Sequence, residues 1–244
     1  MAATAAYTTT GTVSNPLDLA SLNPQGAFET VHLNGNSNGK KQVRPLPKVT
    51  LTSLTINNLG TVKKIHSVVI PIVYSEKFYK DILDPSLDDV NKLVYYGDIP
   101  VGVCCSRFEN LASKDAAKPA TLVILTLAIL APYRSLSLGT ALVKHALHSS
   151  IHPTTPPPPT PSTTGTNTRA SLTPAPPRKA VNRALVHVQV GNADAKRFYE
   201  RLGFKETEVV ENYYSKMEPR AASLMVLDDI ASALGEKPTS NGSS

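Results

Sequence analysis

Between Arg134 and Thr140 the chain sets small and polar residues where an apolar run gives way to a helical pattern. Backbone N–H groups at a helix N-terminus have no intrahelical partner, and such a terminus attracts phosphate. Arg134 adds a cation beside them. This is what a pyrophosphate-bearing molecule needs, although an ordinary strand-to-helix turn uses the same residue types, and the pattern leaves both open. His187, in an alternating stretch from Ala184 to Val190, is the side-chain type whose charge changes near neutral pH. Asn192 and Tyr199 follow on a helical segment. By type alone His187 is a strand histidine, Asn192 an N-cap and Tyr199 a packed aromatic. Cys104 and Cys105 are adjacent, so in a strand they point to opposite faces. They form no disulfide framework and no zinc spacing, and no metal site is expected.

The elements that must hold these residues read as follows. Leu122 to Leu130 is apolar and β-branched, too short to span a bilayer and right for a buried strand. Pro132 breaks it. Leu136, Leu138, Leu142, Val143, Ala146 and Leu147 then recur at helical spacing, with Ser135 or Ser137 as the cap. Upstream, order begins at Val49, and Leu51 to Val69 suggests an opening strand or turn and then a first helix starting near Asn57 or Asn58. Ile70-Pro71 ends it, and Ser75 caps a second helix. Asn91 to Tyr96 and Ile99 to Phe108 read as strands joined at Gly97-Asp98. Downstream, Gly203 ends the Asn192 helix, Phe204 starts a strand, and Ala222 to Leu227 is the last strand. The order predicts an α/β (α+β) fold, a mixed sheet with helices on its faces.

Composition bounds the rest. The chain has 244 residues, 20 prolines, no tryptophan and a formal charge of +6. Residues 1–48 are rich in Ala, Thr, Asn, Gly and Ser and read as a disordered tail. Residues 49–230 form the domain, interrupted by a Pro/Thr-rich insertion at 152–181 that cannot build a core. Residues 231–244 read as a second disordered tail. Scarce aromatics argue against a specific nucleic-acid platform. The basic charge fits a solvated surface or an anionic partner such as a cofactor phosphate or ribosomal RNA. The start of the chain lacks a charged segment followed by an apolar core, and the cysteine usage fits a reducing compartment. A cytoplasmic location is expected, with the nucleus as a second compartment suggested by Lys40-Lys41, Arg44 and Lys48.

The segments IPIVYSEKFYKDIL, LAPYR, HVQVGNADAKRFYERLGF and ENYYSKMEP resemble the GNAT acetyl-CoA-dependent N-acetyltransferases, and within them the San-type N-terminal acetyltransferases, the catalytic subunits of NatE. The resemblance spans about Leu51 to Leu227 without the insertion. It implies the GNAT fold, with acetyl-CoA between the central strand and the His187 strand. The pantetheine arm would lie along Leu127, Ala128, Ile129 and Leu130, and the pyrophosphate on the R-x-x-G-x-G turn. Here that turn reads Arg134-Ser-Leu-Ser137-Leu-Gly139, followed by Thr140, so a serine replaces the first glycine. Asn192 would hold the pantetheine arm. His187 would act as base through a water, and Tyr199 would protonate the leaving thiolate. Ile70, Pro71, Ile72 and Tyr74 would cradle the first substrate residue, opposite Tyr213, Tyr214 and Met217. Together these resemble a pocket for Met followed by an apolar residue. Without the resemblance, Ile70 and Ile72 are core and the tyrosines are strand residues. The family's tyrosine beside the base is Val123 in this chain.

The resemblance therefore implies an N-terminal protein acetyltransferase acting by direct attack of the amine, with acetyl-CoA as co-substrate. The two departures, Val123 and Ser137, raise a second expectation: a slow enzyme, or a GNAT subunit kept as a binding partner in a complex. NatA subunits and the ribosome are the partners the family suggests. A lysine-directed acetyltransferase is a third reading, disfavoured because a lysine amine is over two pKa units harder to deprotonate than an α-amine.

Overall fold

The structure is a computed structural model that describes residues 28–31, 42–45, 47–113, 115, 118–154, 178–215 and 217–236. Two short strands, β1 (Phe28–Val31) and β2 (Gln42–Pro45), pair antiparallel by themselves. They fall inside the stretch read as a tail. Four-residue runs separated by an Asn/Gly-rich segment leave no periodicity that a longer window registers.

The main sheet has seven strands in the order β3 (Val49–Ser53), β4 (Lys92–Tyr96), β5 (Ile99–Glu109), β6 (Thr121–Ile129), β7 (Ala184–Gln189), β9 (Ala222–Leu227) and β8 (Lys205–Val210). Among the described strands only β6 and β7 run parallel. A parallel pair needs a crossover, and helix α3 (Leu138–Ile151) provides it. Helix α1 (Leu59–Val69) packs on β5 and β6 from one face, and α3 packs on β4, β5 and β6 from the other. Helix α2 (Glu76–Asp81) follows α1, with the Ser75 hydroxyl accepting from the Phe78 amide at 3.2 Å. Helix α4 (Ala193–Arg201) precedes β8.

All nine residues of β6 are buried. That is why the run is apolar without alternation: both faces of this strand are covered. Gly102 marks its close approach to β5. A Cβ there would lie 2.3 Å from Ile129 Cδ1 and 2.7 Å from the Ala128 carbonyl oxygen. Leu125 is an extra residue in β6: Thr126 faces Cys105 and Ile124 faces Ser106, so the register shifts by one residue at Leu125. The bulge breaks the alternation. Val123, Leu125 and Ala128 join the core on the α1 side, and Leu122, Ile124, Leu127 and Ile129 join the core on the α3 side.

The bulge also turns Thr126 toward α1, where a buried polar chain forms. His66, 1% exposed, places Nε2 3.1 Å from Thr126 Oγ1 and Nδ1 3.4 Å from the Tyr79 hydroxyl. Nothing in the local sequence marks this link, because its ends are 60 residues apart.

The C-terminal reading needs a correction. Helix α5 (Ile230–Ala233) lies within the segment read as a tail from residue 231, and the Asp229 carboxylate accepts from the Ser232 amide at 3.0 Å. One helical turn is too short for a periodic signal, and its burial depends on α3. The edges of the predicted insertion are also built into the fold; residues 155–177 lie outside the described residues. Arg178 donates to the carbonyls of Ser149 and Ser150 at the end of α3, pairs with the buried Asp89 carboxylate, and stacks on Phe108 at 4.0 Å. It thus helps satisfy carbonyls at the helix end that have no intrahelical partner, Ser150's also accepting from the Val181 amide at 2.8 Å. The segment both leaves and rejoins the fold at the C-terminal end of α3. Fourteen helical residues, about 21 Å, separate that end from the turn at Ser137.

Burial lowers the His66 pKa from 6.5 to about 4. The unfolded chain therefore takes up a proton near pH 6.5 that the folded chain resists until about pH 4. Stability is intact above pH 6.5 and falls through that window, by roughly 3 kcal/mol from this residue at the lower end. Urea melts between pH 4 and 7.5 should display this slope together with that of His145, whose pKa burial also lowers to about 4, and His66→Gln should remove the His66 share and leave the rest.

Candidate active site

The parallel pairing of β6 and β7 lasts three residues: Leu122 opposite Ala184, Val123 opposite Leu185, and Ile124 opposite Val186. It stops at the bulge. Beyond it β6 pairs with β5 alone and β7 with β9 alone. The carboxyl ends of the two central strands therefore part, and the edge of β6 from Leu127 to Ile129 faces the opening. An extended molecule carrying amide groups can lie there as an added strand.

The turn after β6 leads to α3. Arg134 donates from Nε to the Ile129 carbonyl at 3.2 Å, so its charge sits where the strand ends. Ser135 and Ser137 both have positive φ, +66° and +57°. The expected serine cap is not formed: Ser137 occupies the N-cap position, but its hydroxyl makes no capping bond, because the left-handed backbone turns the side chain away. Its carbonyl accepts the first helical bond from the Ala141 amide at 3.0 Å. The amides of Leu138, Gly139 and Thr140 thus stand at the helix start, the arrangement that binds phosphate. Ser137 and Thr140 are buried. A non-glycine residue in the left-handed region costs about 1–2 kcal/mol, so Ser137 carries strain at the position where the family pattern has glycine. A Cβ on Gly139 would make ordinary contacts with Leu127 and Phe198, both 3.7 Å away.

His187 faces the α1 side of the opening along with Leu185. Its ring stacks on Tyr213 at 4.1 Å and 12°, and its carbonyl accepts from the Tyr214 hydroxyl at 3.4 Å. Burial lowers its pKa, with the carboxylates Glu109 and Glu208 acting in the opposite sense. The imidazole is therefore neutral at pH 7 and able to take a proton. Its Nδ1 is buried without a hydrogen-bond partner among the described residues. Tyr199 belongs to the core on the α3 side, fully buried and edge-on to Phe198 and Phe204. Its hydroxyl also lacks a partner among the described residues. Burial raises its pKa well above the ordinary value, so it keeps its proton. Buried polar atoms are nearly always hydrogen-bonded. Two that are not, one acid and one base, lie on opposite sides of the sheet, Tyr199 in the α3-side core and His187 on the α1 side. Asn192 caps α4, its Oδ1 accepting from the Ala195 amide at 3.1 Å.

The residues expected to hold a peptide come together. Ile70, Tyr74 and Tyr214 are buried, and Ile72, Tyr213 and Met217 are partly buried, in one cluster with Val123 and Leu125. Tyr74 stacks on Phe78 at 4.4 Å and lies against His66. Pro71 stands apart, exposed beside Val73, which is 93% exposed. At Val123 the cluster is apolar, where a tyrosine would bring a hydroxyl toward His187's strand. Cys104 and Cys105 are buried. Burial pushes the Cys104 thiol up to about 12 and Cys105 higher still, so neither is a nucleophile at neutral pH. The site thus offers a phosphate cradle, a strand edge for an extended arm, a proton acceptor and a proton donor on its two sides, and an apolar seat for a peptide.

Known proteins resemble this chain in sequence and fold. No family model matches the chain. N-alpha-acetyltransferase 50 of Danio rerio is 30% identical over 178 residues, covering 73% of this chain and 87% of the relative. The probable N-acetyltransferase san of Drosophila melanogaster is 30% identical over 177 residues, covering 72% and 79%. Among solved structures, Arabidopsis thaliana Naa50 in complex with the bisubstrate analogue CoA-Ac-MVNAL superposes with a TM-score of 0.56 at 28% identity, covering 73% of this chain and 97% of that one. With the splayed mixed sheet and this level of identity, the chain belongs to the N-alpha-acetyltransferase 50 and san family of GNAT-fold N-terminal acetyltransferases.

Proposed function

We propose that this chain transfers the acetyl group of acetyl-CoA to the α-amine of proteins that begin with Met followed by an apolar residue. One observation carries the reading: His187 Nδ1 and Tyr199 OH, the base and acid that the reaction requires, are buried atoms without a hydrogen-bond partner among the described residues, one on each side of the sheet whose central strands part. The analogue bound by the Arabidopsis relative carries the peptide MVNAL, which supports a Met-apolar preference here.

The amides of Leu138, Gly139 and Thr140, with Arg134, receive the pyrophosphate. The β6 edge from Leu127 to Leu130 pairs with the pantetheine arm, and Asn192 steadies it. Ile70, Pro71, Ile72 and Tyr74 on one side and Tyr213, Tyr214 and Met217 on the other seat the peptide. An α-amine has a pKa of about 8 and must be neutral to attack. Neutral His187 takes its proton through a water. The amine nitrogen bonds to the thioester carbon, and a backbone N–H of β6 meets the oxyanion. As the carbon–sulfur bond breaks, the Tyr199 hydroxyl donates toward the departing thiolate.

Val123 and Ser137 favour a second reading, a slow enzyme or a subunit that binds acetyl-CoA without turnover. NatA subunits and the ribosome are the proposed partners and the cytoplasm the proposed location, with the nucleus second; the +6 charge supports a surface near anionic RNA. No helix among the described residues is long and apolar enough to cross a membrane.

Acetyl transfer to a Met-Leu peptide tests the proposal. The wild type should turn over, and the same peptide with a blocked N-terminus and an internal lysine should not. His187→Ala should lower kcat by about 10²-fold with acetyl-CoA affinity unchanged. Tyr199→Phe should slow transfer while the free protein keeps or gains about 1 kcal/mol of stability, because an unpaired buried hydroxyl is removed. Val123→Tyr should raise kcat by about tenfold. An inert wild type that binds acetyl-CoA would select the second reading.

Ser137→Gly relieves about 1–2 kcal/mol of backbone strain and adds about 0.5–1 kcal/mol of unfolded-chain entropy. Stability should rise by no more than about 1.5 kcal/mol, while calorimetry should register a several-fold lower Kd for CoA, since the pre-formed turn gains room for phosphate.

A further inference from the structure

Three metal-ligand side chains meet at the end of α3 opposite the phosphate cradle. His148 lies in the last turn of α3 and His152 is its C-cap residue. Residues four apart project from the same side of a helix, and the two rings are 4.7 Å apart between centroids. Glu236 reaches both. Its Oε2 is 2.6 Å from His152 Nε2 and its Oε1 is 3.7 Å from His148 Nε2. One donor atom from each of the three lies within 4.8 Å of the others. The fold delivers the third donor: α5 packs on α3, and the Glu236 amide donates to the Ala231 carbonyl at 2.9 Å.

The geometry points to a zinc-type divalent cation site made by His148, His152 and Glu236, which clips α5 to the C-terminal end of α3. Two imidazole nitrogens and one carboxylate oxygen suit zinc, with a water in the fourth position. Tetrahedral zinc with bonds of about 2.0–2.1 Å sets its donors about 3.3 Å apart. The three donor atoms, one from each side chain, lie within 4.8 Å of one another, so side-chain rotations that draw them together bring them to that spacing. The donating form of histidine is the neutral one. Burial and the neighbouring His152 lower the His148 pKa, with Glu236 acting against them. All three side chains remain partly exposed, which gives the ion a route in from solvent. The site lies about 21 Å along α3 from the acetyl-CoA turn, so its role is structural. The helical spacing of His148 and His152 is visible in the sequence, but the carboxylate stands 84 residues beyond His152.

The test titrates zinc chloride into the metal-free full-length chain at pH 7.5. Wild type should bind one equivalent with a micromolar or tighter Kd and gain several degrees in Tm. His148→Ala, His152→Ala and Glu236→Gln should each weaken binding by at least about tenfold. Magnesium chloride should give neither binding nor a Tm shift. Glu236→Gln retains an oxygen that can accept from His152, so a mere hydrogen-bonded pair would leave its Tm unchanged and insensitive to zinc. Circular dichroism checks that each variant is folded. Failure of the wild type to bind zinc at about 100 µM, or zinc affinity that survives the substitutions, would overturn the site.

Discussion

A parallel strand pair that holds for three residues and then parts leaves a strand edge in the middle of a sheet, where backbone groups are normally paired. Everything else in the site depends on this parting of β6 from β7. The extra residue Leu125 sits where the pairing ends and reverses the facing of the β6 side chains. The strand can bear this because both of its faces are covered: His66 binds Thr126 from α1, and α3 closes the other side. The opening then has a helix N-terminus at one end and His187 on the α1 side, while Tyr199 lies in the core on the α3 side of the sheet. Their unsatisfied atoms have the character of a site held ready for a substrate.

Both departures from the family pattern belong to this same strand–turn–helix unit. Val123 keeps the apolar packing of the peptide side and supplies no hydroxyl. Ser137 keeps the backbone path of the phosphate turn, at +57°, in a conformation that suits glycine. Each change preserves the shape and withdraws part of the chemistry. The fold is thus insensitive to substitutions that bear directly on rate and cofactor affinity, which is why turnover and binding need to be measured separately.

The sequence made legible what depends on near neighbours. The apolar run of β6, the helical spacing after Pro132, the Asn192 cap and the Ser75 cap are written within a few residues of each other, and the structure contains all four elements. The gathering of Ile70, Ile72, Tyr74, Tyr213, Tyr214 and Met217 was legible only through the family motifs, since by type these residues read as core or strand. Contacts between distant positions left no local trace: His66 with Thr126, Arg178 with Asp89, and Glu236 with the two histidines. The short elements β1, β2 and α5 are below the length at which periodicity speaks. Ser137 stands at the N-cap position its type suggests, but residue type does not reveal the left-handed backbone at which its hydroxyl makes no capping bond.

The most direct test of the account is amide hydrogen exchange of the full chain with and without CoA. If the opening between β6 and β7 is the acetyl-CoA site, protection on adding CoA should concentrate in Leu127 to Leu130 and in the first turn of α3, with smaller changes around Asn192. Protection confined to other segments, or no protection at a CoA concentration that saturates binding, would contradict it.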